Sequence, residues 1–362
     1  MRVAEVFGGR AWSARAIQLV KSEQNRSADT HLLTVDAPGL EGISLYLKDE
    51  SSHPTGSLKH RLARSLFLYA LSNNWLREGM TVVEASSGST AVSEAFFARM
   101  LDLPFVAVMP RCTASEKIEK IEFYGGKCHF VDEASQAYGE AVRLARELDG
   151  HYMDQFTYAE RATDWRSNNN IAHSIFEQLA CEAAPVPKWI VCGAGTGGTS
   201  ATLGRYVRYH GHGTQLCLAD PERSVFHRHW QDRGVDHYEG PASLIEGIGR
   251  ARLEPSFIPD VVDRAIGVSD AKSIAAARVL SRRLGRRCGG STGTNFWVCA
   301  ELATQMRAQG ETGSVVSILC DHGERYASTL FSDAWLKANT IDPGPYEARL
   351  ESFLQTGFLA PD

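Results

Sequence analysis

One lysine stands in an unusual setting. In HPTGSLKHRLARSLFLYAL, residues 53–71, Lys59 follows a Pro-Thr-Gly-Ser turn and opens an apolar helix. The chain has only nine lysines against 29 arginines. An arginine would serve any solvated face, but its guanidinium neither deprotonates nor forms imines. A lysine amine does both once neutral, and burial together with a helix N-terminus disfavours the ammonium. Leu58, Leu62, Leu66 and Ala70 recur every four residues, so Lys59 borders an apolar stripe. By spacing alone, a half-buried lysine with a snorkelling head group also fits.

Three loops rich in Gly, Ser and Thr offer anion sites. EASSGST, residues 84–90, follows the run TVVEA and precedes the helical stretch VSEAFFARM. Its Ser86, Ser87, Ser89 and Thr90 offer hydroxyls, and Gly88 lets backbone N–H groups approach a ligand. At a helix start this suits a carboxylate, although a plain serine-rich cap would look the same. GAGTGGTSATLGRY, residues 193–206, follows KWIVC and forms a phosphate cup from Gly195, Thr196, Gly197, Gly198 and Thr199. Gly193, Gly195 and Gly198 also spell G-x-G-x-x-G, and Asp220 ends the next strand where a dinucleotide-binding protein keeps its ribose acid. An NAD(P)-dependent oxidoreductase using the GAGTGG loop is therefore a second reading. GGSTGTN, residues 289–295, is either a turn with a helix cap or a loop that aims Ser291 at a ligand's ring nitrogen. A reactive lysine, a phosphate cup and a carboxylate loop are together the parts of a pyridoxal 5'-phosphate (PLP) enzyme handling an amino acid.

These loops need strands and helices to hold them. TVVEA (81–85), PFVAVMP (104–110), CHFVD (128–132), KWIVCG (188–193), QLCLAD (215–220) and SVVSILC (314–320) read as buried parallel strands. Helical stretches such as SEKIEKIEFYG, SQAYGEAVRLARELDG and DAKSIAAARVLSRRLG lie between them. The alternation predicts α/β architecture with two doubly wound domains, and ligands in such folds bind at strand C-termini. A boundary near DQFTYAERATDW, residues 154–165, precedes a second series of strands.

Composition narrows the class. At 362 residues, with 43% hydrophobic and 22% charged residues, the chain can bury a large core. A net charge of -5 supplies no basic footprint for nucleic acid. No run of 18 apolar residues suggests a membrane span, and the N-terminus does not read as a secretory signal. Eight scattered cysteines without a CxxC pair read as free thiols of a reducing cytoplasm, and no Cys/His cluster has metal-ligand spacing.

Taken together the motifs resemble the cysteine synthase and cystathionine β-synthase family, the fold type II PLP enzymes with a tryptophan synthase β-like fold. The resemblance runs from LYLKDES near residue 45 to HGERY near residue 326. The family's Asn-Pro-(Ser/Thr)-Gly-Ser-x-Lys-Asp-Arg motif stands here as HPTGSLKHR, which implies that Lys59 is the Schiff-base residue. SSGST matches the substrate-carboxylate loop and implies substrate contacts from Ser86, Ser87, Gly88 and Thr90. Gln155, in DQF, is implied to hold the same carboxylate, and Gly247, in EGIGRARLEP, to line the active site. GTGGT matches the phosphate loop, and Ser291 the serine bonded to the pyridine nitrogen. Ser89 replaces an asparagine that bonds the cofactor's phenolic oxygen, His60 replaces an aspartate, and His53 replaces the motif's first asparagine. With EASSGSTAVSEAFFARM and ERATDWRSNNNIA, these variants look closest to the L-cysteine desulfhydrase branch.

The resemblance implies a PLP-dependent lyase that breaks L-cysteine into pyruvate, ammonia and hydrogen sulfide. The neighbouring alternative is a cysteine synthase joining sulfide to O-acetylserine; a scaffold without catalysis is disfavoured by the intact Lys59. It further implies a homodimer. Residues 51–161 are expected to form a smaller, mobile domain, residues 1–50 and 162–335 a larger phosphate-binding domain, and residues 336–362 a C-terminal tail.

Overall fold

The computed structural model describes residues 2–27, 29–167 and 170–361; Asn168 and Asn169, part of the segment ERATDWRSNNNIA, lie outside it. In chain order the elements are α1 (Arg2–Ser27), β1 (His31–Val35), β2 (Ile43–Asp49), α2 (Lys59–Ser72), β3 (Val82–Ala85), α3 (Ser89–Met100), β4 (Phe105–Pro110), α4 (Ser115–Phe123), β5 (Lys127–Val131), α5 (Ala137–Glu147), β6 (His151–Tyr152) and α6 (Gln155–Ala162). They continue as α7 (Ile171–Leu179), β7 (Trp189–Cys192), α8 (Gly198–His210), β8 (Gln215–Pro221), α9 (Phe226–Gln231), β9 (Arg264–Val268), α10 (Asp270–Leu284), α11 (Gly290–Ala308), β10 (Gly313–Leu319), α12 (Asp333–Ala338) and α13 (Gly344–Thr356).

The elements fall into two compact units, a smaller one of residues 1–29 and 53–163 and a larger one of residues 30–52 and 164–362. The smaller unit carries a four-stranded parallel sheet in the order β5-β4-β3-β6. The larger carries six strands, β1-β2-β10-β7-β8-β9, parallel except where β1 runs against β2. All six expected strands are present. Trp189–Cys192 and Val82–Ala85 are buried at every position, so both faces are covered and no polar alternation is needed. The expected helix over 270–285 also forms. Ser269 accepts the Lys272 N–H at its start, and Gly285, at φ 66°, ends it in a left-handed conformation that suits glycine.

Two parts of the expected domain layout are corrected. Helix α1 groups with the smaller unit, not with the larger. Its Trp12, Ala16 and Val20, spaced four apart, join Ala63, Leu66, Phe67 and Ala70 of α2 in one apolar core. Residues 336–362 are not a separate tail. Leu350, Phe353 and Leu354 of α13 are fully buried in the larger unit's core with Trp297 of α11, and burial of that size fastens the segment. Among the described residues no helix is long and apolar enough to cross a membrane.

Candidate active site

In the smaller unit, Lys59 is the first residue of α2 and is half-buried. The turn before it closes through Gly56 N–H to the His53 carbonyl at 2.7 Å, with Gly56 at φ 75°. Side chains behind Lys59 form a buried chain of hydrogen bonds. Ser93 Oγ lies 2.8 Å from Thr55 Oγ1, Thr55 Oγ1 lies 3.1 Å from His60 Nδ1, and His60 Nε2 lies 3.2 Å from Glu23 Oε1. Arg64 donates twice to Glu23 Oε2, at 3.1 and 3.2 Å. Ser57 Oγ, two residues before the lysine, is buried with no hydrogen-bond partner. Sequence reasoning passed over Ser57 and Thr55, although both stand inside the quoted motif.

The Ser86–Thr90 segment joins β3 to α3. Gly88, in extended conformation, precedes α3, and no side chain caps that helix or places an acid in its first turn. Its leading N–H groups therefore have no carboxylate or hydroxyl of the protein laid across them as a cap. Ser86, Ser87, Gly88 and Ser89 are half-buried, and the space a Cβ on Gly88 would enter is open. Ser86 Oγ accepts the Gly88 N–H at 3.2 Å. Thr90 Oγ1 donates to the Gln155 amide oxygen at 2.7 Å, so two of the expected substrate contacts are joined directly. Gln155 itself begins α6, whose cap is Asp154. Its N–H is accepted by Glu84 Oε2 at 3.1 Å, and Glu84 Oε1 accepts the Ala85 N–H at 2.7 Å. Glu84 is a further residue that sequence reasoning missed, though it opens the quoted stretch EASSGST.

In the larger unit, Gly193–Gly197 connects β7 to α8, and α8 likewise starts with no side-chain cap and no acid in its first turn. A Cβ on Gly195 would stand 2.3 Å from the Gly247 carbonyl oxygen, and one on Gly197 would stand 2.5 Å from Phe257 Cα, with φ at 92°. Only glycine fits either position. Gly247, expected near the substrate, is thus packed on the phosphate loop. That contact is reinforced by the Gly249 N–H bonded to Ala194 at 2.8 Å and by Arg250 Nε donating to the Gly195 carbonyl at 3.2 Å. Thr196 is buried and its Oγ1 accepts the Gly198 N–H at 3.3 Å, while Thr199 is half-buried. Ser291 is buried at the second position of α11, a third helix without a side-chain cap. Asp321 lies against Gly289, where an added Cβ would meet Oδ1 at 1.9 Å.

The dinucleotide reading fails at its acid. Asp220 is fully buried, and its Oδ2 accepts both the backbone N–H of His227 at 3.0 Å and the ring Nδ1–H at 2.9 Å. A carboxylate so enclosed cannot reach a ribose. The residues instead fit PLP. A phosphate at α8 would meet backbone donors and the helix dipole, the glycines leave that cradle clear of Cβ atoms, and Lys59 carries an amine at a helix start.

Residues 26–321 match the family model described as pyridoxal-phosphate dependent enzyme. Over 347 residues the chain is 58% identical to the L-cysteine desulfhydrase Cds1 of Mycobacterium tuberculosis, with 94% of each chain covered. It is 30% identical to a cysteine synthase of Aquifex aeolicus, over 81% of this chain and 85% of that one. Among solved structures, an O-ureido-L-serine synthase superposes with a TM-score of 0.75 at 25% identity, covering 87% of this chain and 98% of the other.

Proposed function

The chain belongs to the pyridoxal-phosphate dependent enzymes, and from that premise we propose that it cleaves L-cysteine by β-elimination to pyruvate, ammonia and hydrogen sulfide. The observation that carries this reading is the 58% identity to an L-cysteine desulfhydrase, spread over 94% of both chains. Cysteine synthesis from O-acetylserine is the second reading, supported by the 30% identity to a cysteine synthase.

When bound, PLP supplies the electron sink that weakens the Cα–H and Cβ–S bonds of the amino acid. Lys59 would hold the cofactor's aldehyde, and its amine, when free, would take and return a proton at the substrate's Cα, which is acid–base work by one placed group. The backbone N–H groups of Gly195–Thr199 and the hydroxyls of Thr196 and Thr199 take the phosphate. Ser86, Ser87, Gly88 and Thr90, with Gln155, hold the substrate carboxylate and so fix which bond breaks. Ser89 serves the phenolic oxygen with a shorter arm than asparagine. Ser291 would meet the ring nitrogen as an uncharged partner, which would leave the cofactor a weaker electron sink. Gly247 serves the site by supporting Gly195. The reading includes a homodimer in the cytoplasm, without nucleic-acid or membrane partners; eight unpaired cysteines suit a reducing compartment.

Purified enzyme given cysteine alone should release equimolar pyruvate and sulfide. Negligible pyruvate together with rapid cysteine formation from O-acetylserine and sulfide would overturn the lyase reading. Borohydride reduction followed by peptide mapping should place the cofactor tag on Lys59; a tag elsewhere removes that residue from its role.

A further inference from the structure

The loop that carries Gly247 does more than pack on the phosphate loop. Its backbone turns at Gly247, φ 87°, and at Gly249, φ 74°, both in the left-handed region that suits glycine. The turn sets two consecutive donors on two consecutive carbonyls. The Gly249 N–H meets the Ala194 carbonyl at 2.8 Å, and Arg250 Nε donates to the Gly195 carbonyl at 3.2 Å. Ala194, Gly195 and Thr196 are all buried.

A peptide unit is planar and trans, so its C=O and N–H point in opposite directions. The donor that holds the Ala194 carbonyl therefore turns the Gly195 N–H away from the Gly247–Arg250 loop. The donor that holds the Gly195 carbonyl does the same for the Thr196 N–H. Among the described residues neither N–H has an acceptor. Buried N–H groups left so are rare. Consecutive N–H groups turned one way make a concave nest for an anion, and α8 starts just beyond them, at Gly198, without a side-chain cap.

Arg250 is itself anchored. Its own N–H donates to Ser224 Oγ at 3.1 Å, its carbonyl accepts the Val225 N–H at 2.8 Å, and Ser224 is fully buried. With its backbone fixed on both sides, the side chain reaches Gly195 from a set origin. A bond from a guanidinium is also stronger than one between neutral groups. The stretch GAGTGGTS, residues 193–200, has no cation of its own.

We propose that Arg250 is a positioning residue for the cofactor phosphate: its Nε holds the Gly195 carbonyl and so keeps the Thr196 N–H turned toward the anion. This rests on the reading that residues 195–199 take the phosphate. The role belongs to a donor at one point along the side chain, not to positive charge in general.

That distinction supplies the test. In glutamine the side-chain nitrogen is bonded to Cδ, as Nε is in arginine, so Arg250→Gln keeps a donor at the same reach and removes the charge. Arg250→Lys keeps the charge but puts a methylene at that point, and Arg250→Met keeps only the bulk. Cofactor-free proteins are titrated with PLP, followed by absorbance. Wild type and Arg250→Gln should bind within about threefold of each other, while Arg250→Lys and Arg250→Met bind at least about tenfold more weakly. Pyridoxal, which lacks the phosphate, should bind all four equally. Inorganic phosphate should raise the melting temperature of cofactor-free wild type and Arg250→Gln more than that of the other two. Wild-type affinity in Arg250→Lys with loss in Arg250→Gln overturns the proposal, since charge would then be what matters. Equal PLP affinity in all four proteins overturns it too, as does weaker binding of PLP and pyridoxal alike. Thr199→Val separates the proposal from its premise. Weakened PLP binding in Thr199→Val with unchanged binding in every Arg250 variant overturns the proposal alone; unchanged binding throughout overturns the phosphate-loop reading as well. If Arg250→Met does not fold, Arg250→Gln against Arg250→Lys decides.

Discussion

His60 Nε2 lies 3.2 Å from Glu23 Oε1, both side chains are buried, and the contact fastens α1 to the helix that Lys59 begins. Burial pushes Glu23 up, but the hydrogen bond from His60 and the charge of Arg64 outweigh it and hold the carboxyl at about 2. Burial pushes His60 down to about 4 against the opposing pull of Glu23. Neutral His60 then donates from Nε2 to Glu23 and accepts at Nδ1 from the Thr55 hydroxyl, whose oxygen accepts from Ser93. Every member of the chain has a role consistent with its neighbours.

Removing the acid leaves Arg64 and His60 without it in a dry site. Glu23→Ala should cost about 3–5 kcal/mol, the range for breaking a buried ion pair from one side. His60→Asp restores the residue found in the family motif but sets a carboxylate against Glu23, so it should destabilise more than His60→Asn. Combining His60→Asp with Glu23→Gln should recover part of that loss. Urea unfolding of the four variants checks the order.

Acid sensitivity follows from the same pair. His60 titrates lower folded than unfolded, so its contribution is complete above 6.5 and is lost as pH falls through about 4. The size is on the order of 3 kcal/mol. Glu23, also depressed, adds a loss as pH falls from 4.5 through about 2. His151, pushed down to about 4 by burial, loses stability in the first window too. Glu84 and Glu94 act on the other side: both are raised, so their contribution is present in acid and lost as pH climbs above the ordinary carboxyl range. Stability should therefore be greatest in mildly acidic solution, between 4.5, where the raised carboxyls begin to lose their contribution, and 6.5, where the histidine contributions are complete. His60→Asn should flatten the acid limb without abolishing it and leave the alkaline limb unchanged, read as melting temperature against pH.

Thr90→Val keeps the shape of the side chain but withdraws the hydroxyl that donates to the Gln155 amide oxygen, 2.7 Å away and buried. An unsatisfied buried acceptor costs about 1–3 kcal/mol. Part of that should appear as a KM for cysteine raised roughly tenfold, since about 1.4 kcal/mol is a factor of ten. Steady-state kinetics with cysteine alone gives the number; an unchanged KM would remove Gln155 from the carboxylate site.

The six apolar strands were legible because parallel strands covered on both faces must be apolar throughout. β2 was hidden by its last residues. Lys48 is fully buried there and donates to the Thr30 carbonyl at 2.7 Å and to Gln178 at 2.8 Å, partners far away in sequence that no local pattern shows. α1 left a readable trace in the spacing of Trp12, Ala16 and Val20, though its charged residues dilute it. The loops of the candidate site were legible because glycine, serine and threonine at strand ends have few other uses. The groups behind them were not: Glu23, Glu84 and Glu94 look like solvated acids until the chain folds around them.

The glycines of the two anion loops should respond differently to the same change. At Gly195 an added methyl would stand 2.3 Å from the Gly247 carbonyl oxygen, so Gly195→Ala must displace one loop from the other. Purified Gly195→Ala should retain little PLP, measured as visible absorbance per chain, and should bind added PLP at least tenfold more weakly. At Gly88 nothing stands within 4 Å of the added atom and φ is -120°, which any residue adopts. Gly88→Ala should therefore fold with unchanged melting temperature and hold its PLP. The methyl would, however, occupy open space beside the N-terminus of α3, where the substrate carboxylate is proposed to lie. KM for cysteine should rise about tenfold or more, the effect of misplacing a single charge-assisted hydrogen bond. A Gly88→Ala enzyme with wild-type KM would show that the carboxylate binds elsewhere, because this substitution has no other obstacle in the folded protein.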